Sequence, residues 1–334
     1  MASKARVLGQ VWRALKELNP RNVEQEAARI VRIGVVGPIG VLQEVATFLL
    51  GDQPDAYDRA AERLLLIATP PEAGAFALLP KCDLVLVSDS YRDPLPGIAK
   101  KRIFGFSGRD DLPEVVKQVV KSRELDYAEI SMARTFPAFR HEAAIKTIQT
   151  VSVENAVFVT STALGNVIPN PLQPLTAVAE SLGDLVVLTA NQLRMLFRLA
   201  AMHERSLGAK EQAPEVLSIL GAAFGWRSIA RQLVSKIPFG GGVVPKAAIA
   251  FAGTWAVGES IAYYYSTGRR LSKEEVRQRF DAALDRGRGW AEQAVARLKM
   301  ADEAFARFRD VCAARLAPGR DASETETTEE QHAE

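Results

Sequence analysis

The rhythm of hydrophobic and polar positions changes twice along this chain. Near the start, Val7, Leu8, Val11, Trp12, Leu15 and Leu18 recur every three or four residues. That spacing predicts an amphipathic helix and not the continuous apolar run of a signal peptide. From Ile30 short apolar runs take over, predicting strands at Ile30–Val36, Arg63–Thr69, Cys82–Val87 and Arg102–Phe106, with a weaker fifth at Asp126–Ile130. Val41–Leu50 reads as a helix, and Asp111-Leu-Pro-Glu114 has the form of a capping box opening another that runs to Lys121. Strands alternating with helices predict a parallel sheet with crossover helices, ending near Arg134.

Beyond Phe136 the pattern is helical. His141–Thr162, Leu175–Ser206, Pro214–Lys236 and Val244–Thr267 are separated by Gly/Pro turns at 165–174, 208–214 and 238–245. Ser272-Lys-Glu-Glu275 is a second capping box, opening a long helix with the apolar stripe Val276, Phe280, Leu284, Leu298, Phe305, Phe308 and Cys312. The expected fold class is therefore α/β plus all-α, a small P-loop-like parallel sheet domain followed by a hydrophobic helical domain. The expected segments are a basic leader helix (1–29), the α/β domain (30–134), the helical domain (135–316) and a disordered acidic tail (317–334).

Composition narrows the function classes. Of the 334 residues 48% are apolar and 25% charged, enough to bury cores and too polar for a protein made mainly of membrane spans. A net charge of +2 is too balanced for a nucleic-acid binder. The charge is unevenly spread. Residues 1–33 carry seven Lys/Arg against three Glu, whereas 317–334 carry six acidic groups and one Arg. Cys82, Cys312, His141, His203 and His332 stand apart from one another, and no G-x-S-x-G, H-E-x-x-H or C-x-x-C occurs, so no metal or nucleophile motif is expected. Both cysteines read as reduced core thiols, and His203-Glu204 as a helix-end partner and a surface charge.

The chemistry worth testing lies at Arg32-Ile-Gly-Val-Val-Gly37-Pro-Ile-Gly40, a strand-to-helix turn where a P-loop would stand. A working P-loop is G-x-x-x-x-G-K-[ST]: backbone amides wrap the phosphates, the Lys reaches their oxygens and the hydroxyl binds Mg²⁺. Counted from Gly37, Leu42 replaces the second Gly, Gln43 the Lys and Glu44 the hydroxyl residue. A carboxylate about 4 Å from a phosphate repels it by roughly 4 kcal/mol at an effective dielectric near 20. Further fragments follow in order. Ala68-Thr-Pro-Pro71 stands where a GTPase carries D-T-P-G, so Ala68 and Pro71 have replaced the Asp and the Gly. Ser107-Gly-Arg-Asp110 keeps only Asp110 of N-K-x-D, and Ser131-Met-Ala loosely follows S-A-K. Ordered this way, the fragments resemble a bacterial GTPase-like protein whose hydrolysis motifs are lost. They imply no cofactor, with GTP and Mg²⁺ as the alternative for a divergent NTPase using the helical half as effector.

The helical half carries a second resemblance. Phe136-Pro-Ala-Phe-Arg140, Glu154-Asn-Ala156, Asn191-Gln-Leu-Arg-Met195, Ile229-Ala-Arg-Gln232, Phe224-Gly-Trp226, Pro238-Phe-Gly-Gly-Gly242 and Pro245-Lys-Ala-Ala248 resemble the hydrophobic helical domain of unknown function 697 over roughly 135–268. That domain follows intact or degenerate GTPase-like domains in bacterial proteins, several of them described as membrane proteins. The resemblance implies architecture and no reaction.

The residues also have their own reading. Gly221 and Gly225, and Ala248, Ala252 and Ala256, form four-residue rows of small side chains that let helices approach closely. The best candidate bilayer window, Val243–Tyr265, holds Lys246 and Glu259, each costing about 2.5–3.5 kcal/mol near a bilayer centre. A buried helical pair competes there with a membrane-docked hairpin. Asn191, Gln192 and Arg194 sit inside an apolar helix and mark either a polar pocket or satisfied helix amides. The expected function is a non-catalytic association or scaffold protein. Its partner is another protein, a second copy or the cytoplasmic face of the inner membrane, and not nucleic acid.

Overall fold

The computed structural model describes residues 20–51, 58, 60–72, 74–91, 93–165, 173–207 and 243–316. The expected leader stripe Val7–Leu18, the helix Pro214–Lys236 with Gly221 and Gly225, and the tail 317–334 lie outside the described residues. The chain divides into two compact units, Met1–Ala291 and Glu292–Glu334. The second is helical through Leu316.

In the first unit a short helix, α1 (Arg21–Ala27), leads into a four-stranded parallel sheet. Its strands are β1 (Ile33–Gly37), β2 (Leu64–Ala68), β3 (Leu84–Ser88) and β4 (Ile103–Phe106), in the order β2-β1-β3-β4. β1 lies at the centre, with Ile33 opposite both Leu64 and Leu84. The order reverses between β1 and β3, the place where open α/β sheets bind ligands beyond the strand ends. Side chains alternate with period two. Ile33, Val35, Leu84 and Leu86 enter one core, with α2 (Ile39–Leu50) and α3 (Leu112–Lys121). Val36 and Val85 enter a smaller core with Leu79 and Cys82 on the opposite face. Gly34 fits closely there: a Cβ would lie 3.0 Å from Leu79 Cδ2 and 3.2 Å from Val85 Cγ2.

The four main strands match the expected alternation, but three expectations are corrected. Among the described residues the crossovers β2–β3 and β3–β4 hold the 3₁₀ segments Ala75–Lys81 and Lys100–Arg102 and not the crossover helices that the alternation predicts. The fifth strand is absent: Asp126–Ala128 is a 3₁₀ turn and Glu129–Thr135 is α4. A short buried apolar run cannot by itself separate strand from helix, and here helical geometry serves two cores. Ile130 and Ala133 enter the helical core, while Met132 and Phe136 enter the sheet core. The Asp111–Glu114 capping box does not form either. Asp111 turns back and accepts from Ser107 N at 3.2 Å and Ser107 Oγ at 3.4 Å, while Pro113 occupies the first turn of α3.

Among the described residues four long helices follow: α5 (Arg140–Gly165), α6 (Gln173–Met202), α7 (Val243–Thr267) and α8 (Lys273–Leu316). The second capping box is real. Ser272 N donates to Glu275 Oε2 at 2.7 Å, and Glu275 N donates to Ser272 Oγ at 3.2 Å. These two bonds hold the Glu275 carboxyl below its usual range. Ala248, Ala252 and Ala256 are all buried against the chain's own helices. Close approach is also set by glycines. A Cβ on Gly258 would lie 2.6 Å from Ile148 Cγ1, and one on Gly287 would lie 2.8 Å from the Ala248 carbonyl. No helix among the described residues is long and apolar enough to cross a membrane.

Candidate functional site

The turn expected to resemble a P-loop closes in one residue. β1 ends at Gly37, Pro38 alone connects, and α2 opens at Ile39. Val41 N and Leu42 N both donate to the Pro38 carbonyl, at 3.0 and 3.1 Å, so the first helical turn consumes amides that a phosphate cradle would offer. Leu42 points inward and is only 5% exposed, part of the sheet core, while Gln43 and Glu44 face solvent. The two glycines have different roles. A Cβ on Gly37 would stand 3.0 Å from Ser88 Cβ on β3, whereas one on Gly40 would meet nothing within 4 Å. Gly37 is thus demanded by strand packing at the crossover, and Gly40 by no neighbouring side chain or backbone.

The other fragments are partly brought together. Ala68 ends β2, and the next residue, Thr69, donates its N–H to the Gly37 carbonyl at 3.1 Å, leading into the partly exposed Pro71. Asp110 is exposed in the 3₁₀ turn Arg109–Asp111 after β4. Ser131 follows no strand. It is buried within α4 and donates its hydroxyl to the Arg29 carbonyl, a structural bond to the segment after α1. Gly37, Ala68 and Asp110 therefore share the C-terminal side of the sheet, with no lysine among these motif positions.

The polar residues of α6 divide. Asn191 Nδ2 donates to Asn155 Oδ1 at 2.8 Å, Asn155 Nδ2 donates to Thr254 Oγ1 at 2.8 Å, and Gln192 Nε2 reaches the same hydroxyl at 3.4 Å. This ladder ties α5, α6 and α7 together as satisfied amides. Arg194 is exposed and stands outside it.

Arg198, one turn further on, enters a charge cluster that no local pattern announces. Its Nη1 lies 3.0 Å from Glu26 Oε2 on α1, and its Nη2 lies 3.2 Å from Glu129 Oε2 on α4. Lys146 of α5 completes the group, 3.5 Å from Glu129 Oε1 and 2.5 Å from Asp126 Oδ1. Burial pushes the Glu129 carboxyl up, and the two cations oppose that shift.

A cleft of about 550 Å³ opens where α5, the end of α6, α7 and α8 converge. Arg140, His203, Tyr263 and Arg279 edge it. Arg140 Nη2 pairs with Glu204 Oε1 at 2.6 Å and with the Arg134 carbonyl at 3.2 Å, while its Nε donates to the Ala133 carbonyl at 3.0 Å. Burial, then the charges of Arg140 and Arg205, push the His203 imidazole down to a pKa of about 4. Its ring tilts against Tyr265 at a centroid distance of 5.9 Å. Arg279 lies 5.8 Å from the Tyr263 ring centroid and 3.6 Å from Glu259 Oε2. The helix-end and surface-charge expectation for His203-Glu204 missed this setting, because the other edge residues lie on helices far away in sequence.

Comparisons with family models, with curated proteins and with solved structures return no match.

Proposed function

We propose that this protein is a non-catalytic association protein, in which a GTPase-like sheet layer without nucleotide chemistry is joined to a hydrophobic helical layer. The observation that carries the reading is the single-residue connection at Pro38 with Leu42 turned into the core. An anion at this turn would find neither a wrapped run of amides nor a lysine at the motif position. Opening the turn would expose Leu42 and break the first hydrogen bonds of α2.

The association half of the proposal rests on the sheet edge. β2 pairs only with β1 among the described strands, and Leu66 at its centre is 42% exposed. An edge strand bearing an exposed apolar side chain is a template for a further strand or an apolar face. The partner favoured by this edge is a polypeptide, including a second copy of the chain. Ala248, Ala252 and Ala256 are occupied within the fold and are not the contact surface.

Sedimentation velocity on the full chain, with and without Mg²⁺ and GTP, tests the reading. Concentration-dependent association that ignores nucleotide and is lost in Leu66→Lys supports it. A monomer that nucleotide stabilises contradicts it and favours the divergent NTPase.

A further inference from the structure

The convergence cleft combines an apolar and a charged surface. Ala144, Ile145, Ile148 and Ala262 form an apolar floor, and Arg140 and Arg279 stand at the edge. We propose that this cleft binds an amphipathic organic anion, an apolar chain or ring ending in a carboxylate or phosphate, with Arg279 as its anchor.

Size and the loose hold on Arg279 support that class. About 550 Å³ falls within the usual range of small-ligand sites, roughly 300–1,000 Å³. Among the described lining residues Glu259 is the one carboxylate beside two guanidinium groups, and Arg140 is already paired with Glu204, which leaves Arg279 as the guanidinium open to a ligand. The arginines differ in freedom. Arg140 is fixed by Glu204 and by two backbone carbonyls, so its charge is compensated and it serves as a fixed wall of the cleft. Arg279 is held loosely: Nε sits 3.6 Å from Glu259 and Nη1 donates to the Glu275 carbonyl at 3.4 Å. Those contacts engage few of the five donors of a guanidinium, whose fork matches a carboxylate or phosphate. Tyr263 beneath Arg279 and Tyr265 beside His203 extend the apolar surface with ring faces. The half-buried His203 is neutral at pH 7, so it adds no charge of its own and can donate or accept one hydrogen bond. No residue of the cleft belongs to the β1–α2 turn, and the inference does not depend on the loss of nucleotide chemistry.

Calorimetric titration of the full chain with sodium octanoate, phenyl phosphate, 1-octanol and octylammonium chloride provides the test. At least one of the two anions is expected to bind saturably, with 1-octanol and octylammonium at least tenfold weaker. Arg279→Gln should weaken the anion tenfold or more, and Arg279→Lys by less, because it keeps the charge and loses the fork. Arg277→Gln, 72% exposed on the same helix, should leave binding unchanged. The His203 ring protons provide a second readout, since a bound anion offsets the field of Arg140 and Arg205 and raises the apparent pKa above its ligand-free value. Octanol or octylammonium binding as tightly as the anions overturns the proposal. So does unchanged anion binding in a folded Arg279→Gln chain, or saturation by neither anion.

Discussion

Ser88 occupies the space that a side chain on Gly37 would need: a Cβ built there would lie 3.0 Å from Ser88 Cβ across the β1–β3 pair. The same junction is the topological switch point, where a ligand crevice would open in a sheet of this order. Gly37→Ala should therefore destabilise the protein by about 1–3 kcal/mol through overpacking. Gly40→Ala meets nothing within 4 Å and should be neutral or stabilising by up to about 1 kcal/mol. Urea unfolding of the two variants checks the pair. Equal losses at both positions would mean that the turn has a shared role.

A similar contrast is available inside α7. Gly258→Ala would place a methyl 2.6 Å from Ile148 Cγ1 and 3.0 Å from Met195 Sδ, at an expected cost of about 1–3 kcal/mol. Gly253→Ala on the same helix meets no atom within 4 Å and should gain about 0.5–1 kcal/mol. Opposite signs in thermal or urea midpoints would show that the small residue at 258 serves helix contact.

The cluster around Glu129 is predicted to fasten α1 and α4 to the long helices. Arg198→Met leaves Glu26 and Glu129 without their guanidinium and should cost about 3 kcal/mol, as for a broken, largely buried pair. Arg194→Met, at an exposed position one turn earlier, should change stability by less than about 0.5 kcal/mol. Chemical denaturation distinguishes the two, and similar small effects would demote the cluster to surface pairing.

His203 gives a pH signature. The unfolded imidazole takes its proton near pH 6.5, and the folded one near 4. Between those values the unfolded chain holds more protons, so stability contributed at neutral pH is lost as pH falls from about 6.5 to 4. After allowance for solvent access the loss is on the order of 2 kcal/mol. His203→Gln should flatten this part of the stability profile. An unchanged slope would show that other groups carry it.

The elements were legible in the sequence where one periodicity had one explanation. The helix around Val116 faces a single core, and the strands around Val35 and Leu86 are short apolar runs buried on both faces, so their patterns read directly. Asp126–Ile130 misled because Ile130 and Met132 serve different cores from one short helix, which looks locally like a buried strand. That Gln43 and Glu44 stand where a P-loop would carry its lysine and hydroxyl was visible in the residues alone. Closure of the turn by Pro38 was not, because the burial of Leu42 in the sheet core that accompanies it is a tertiary contact. The cleft was hidden for a different reason. Arg140, His203, Glu259 and Arg279 come from parts of the chain that only tertiary packing of the long helices brings together, so no spacing rule links them.

The most direct test of the closed strand-to-helix turn is thermal unfolding with and without about 1 mM Mg·GTP or Mg·ATP, on the natural chain and on Arg279→Gln. A site of micromolar affinity would add about 4 kcal/mol under those conditions and raise the midpoint by several degrees. No shift is predicted in Arg279→Gln, where the anchor of the cleft is removed and the β1–α2 turn is left in place. A saturable shift that persists in Arg279→Gln would contradict the account and restore nucleotide binding to the sheet.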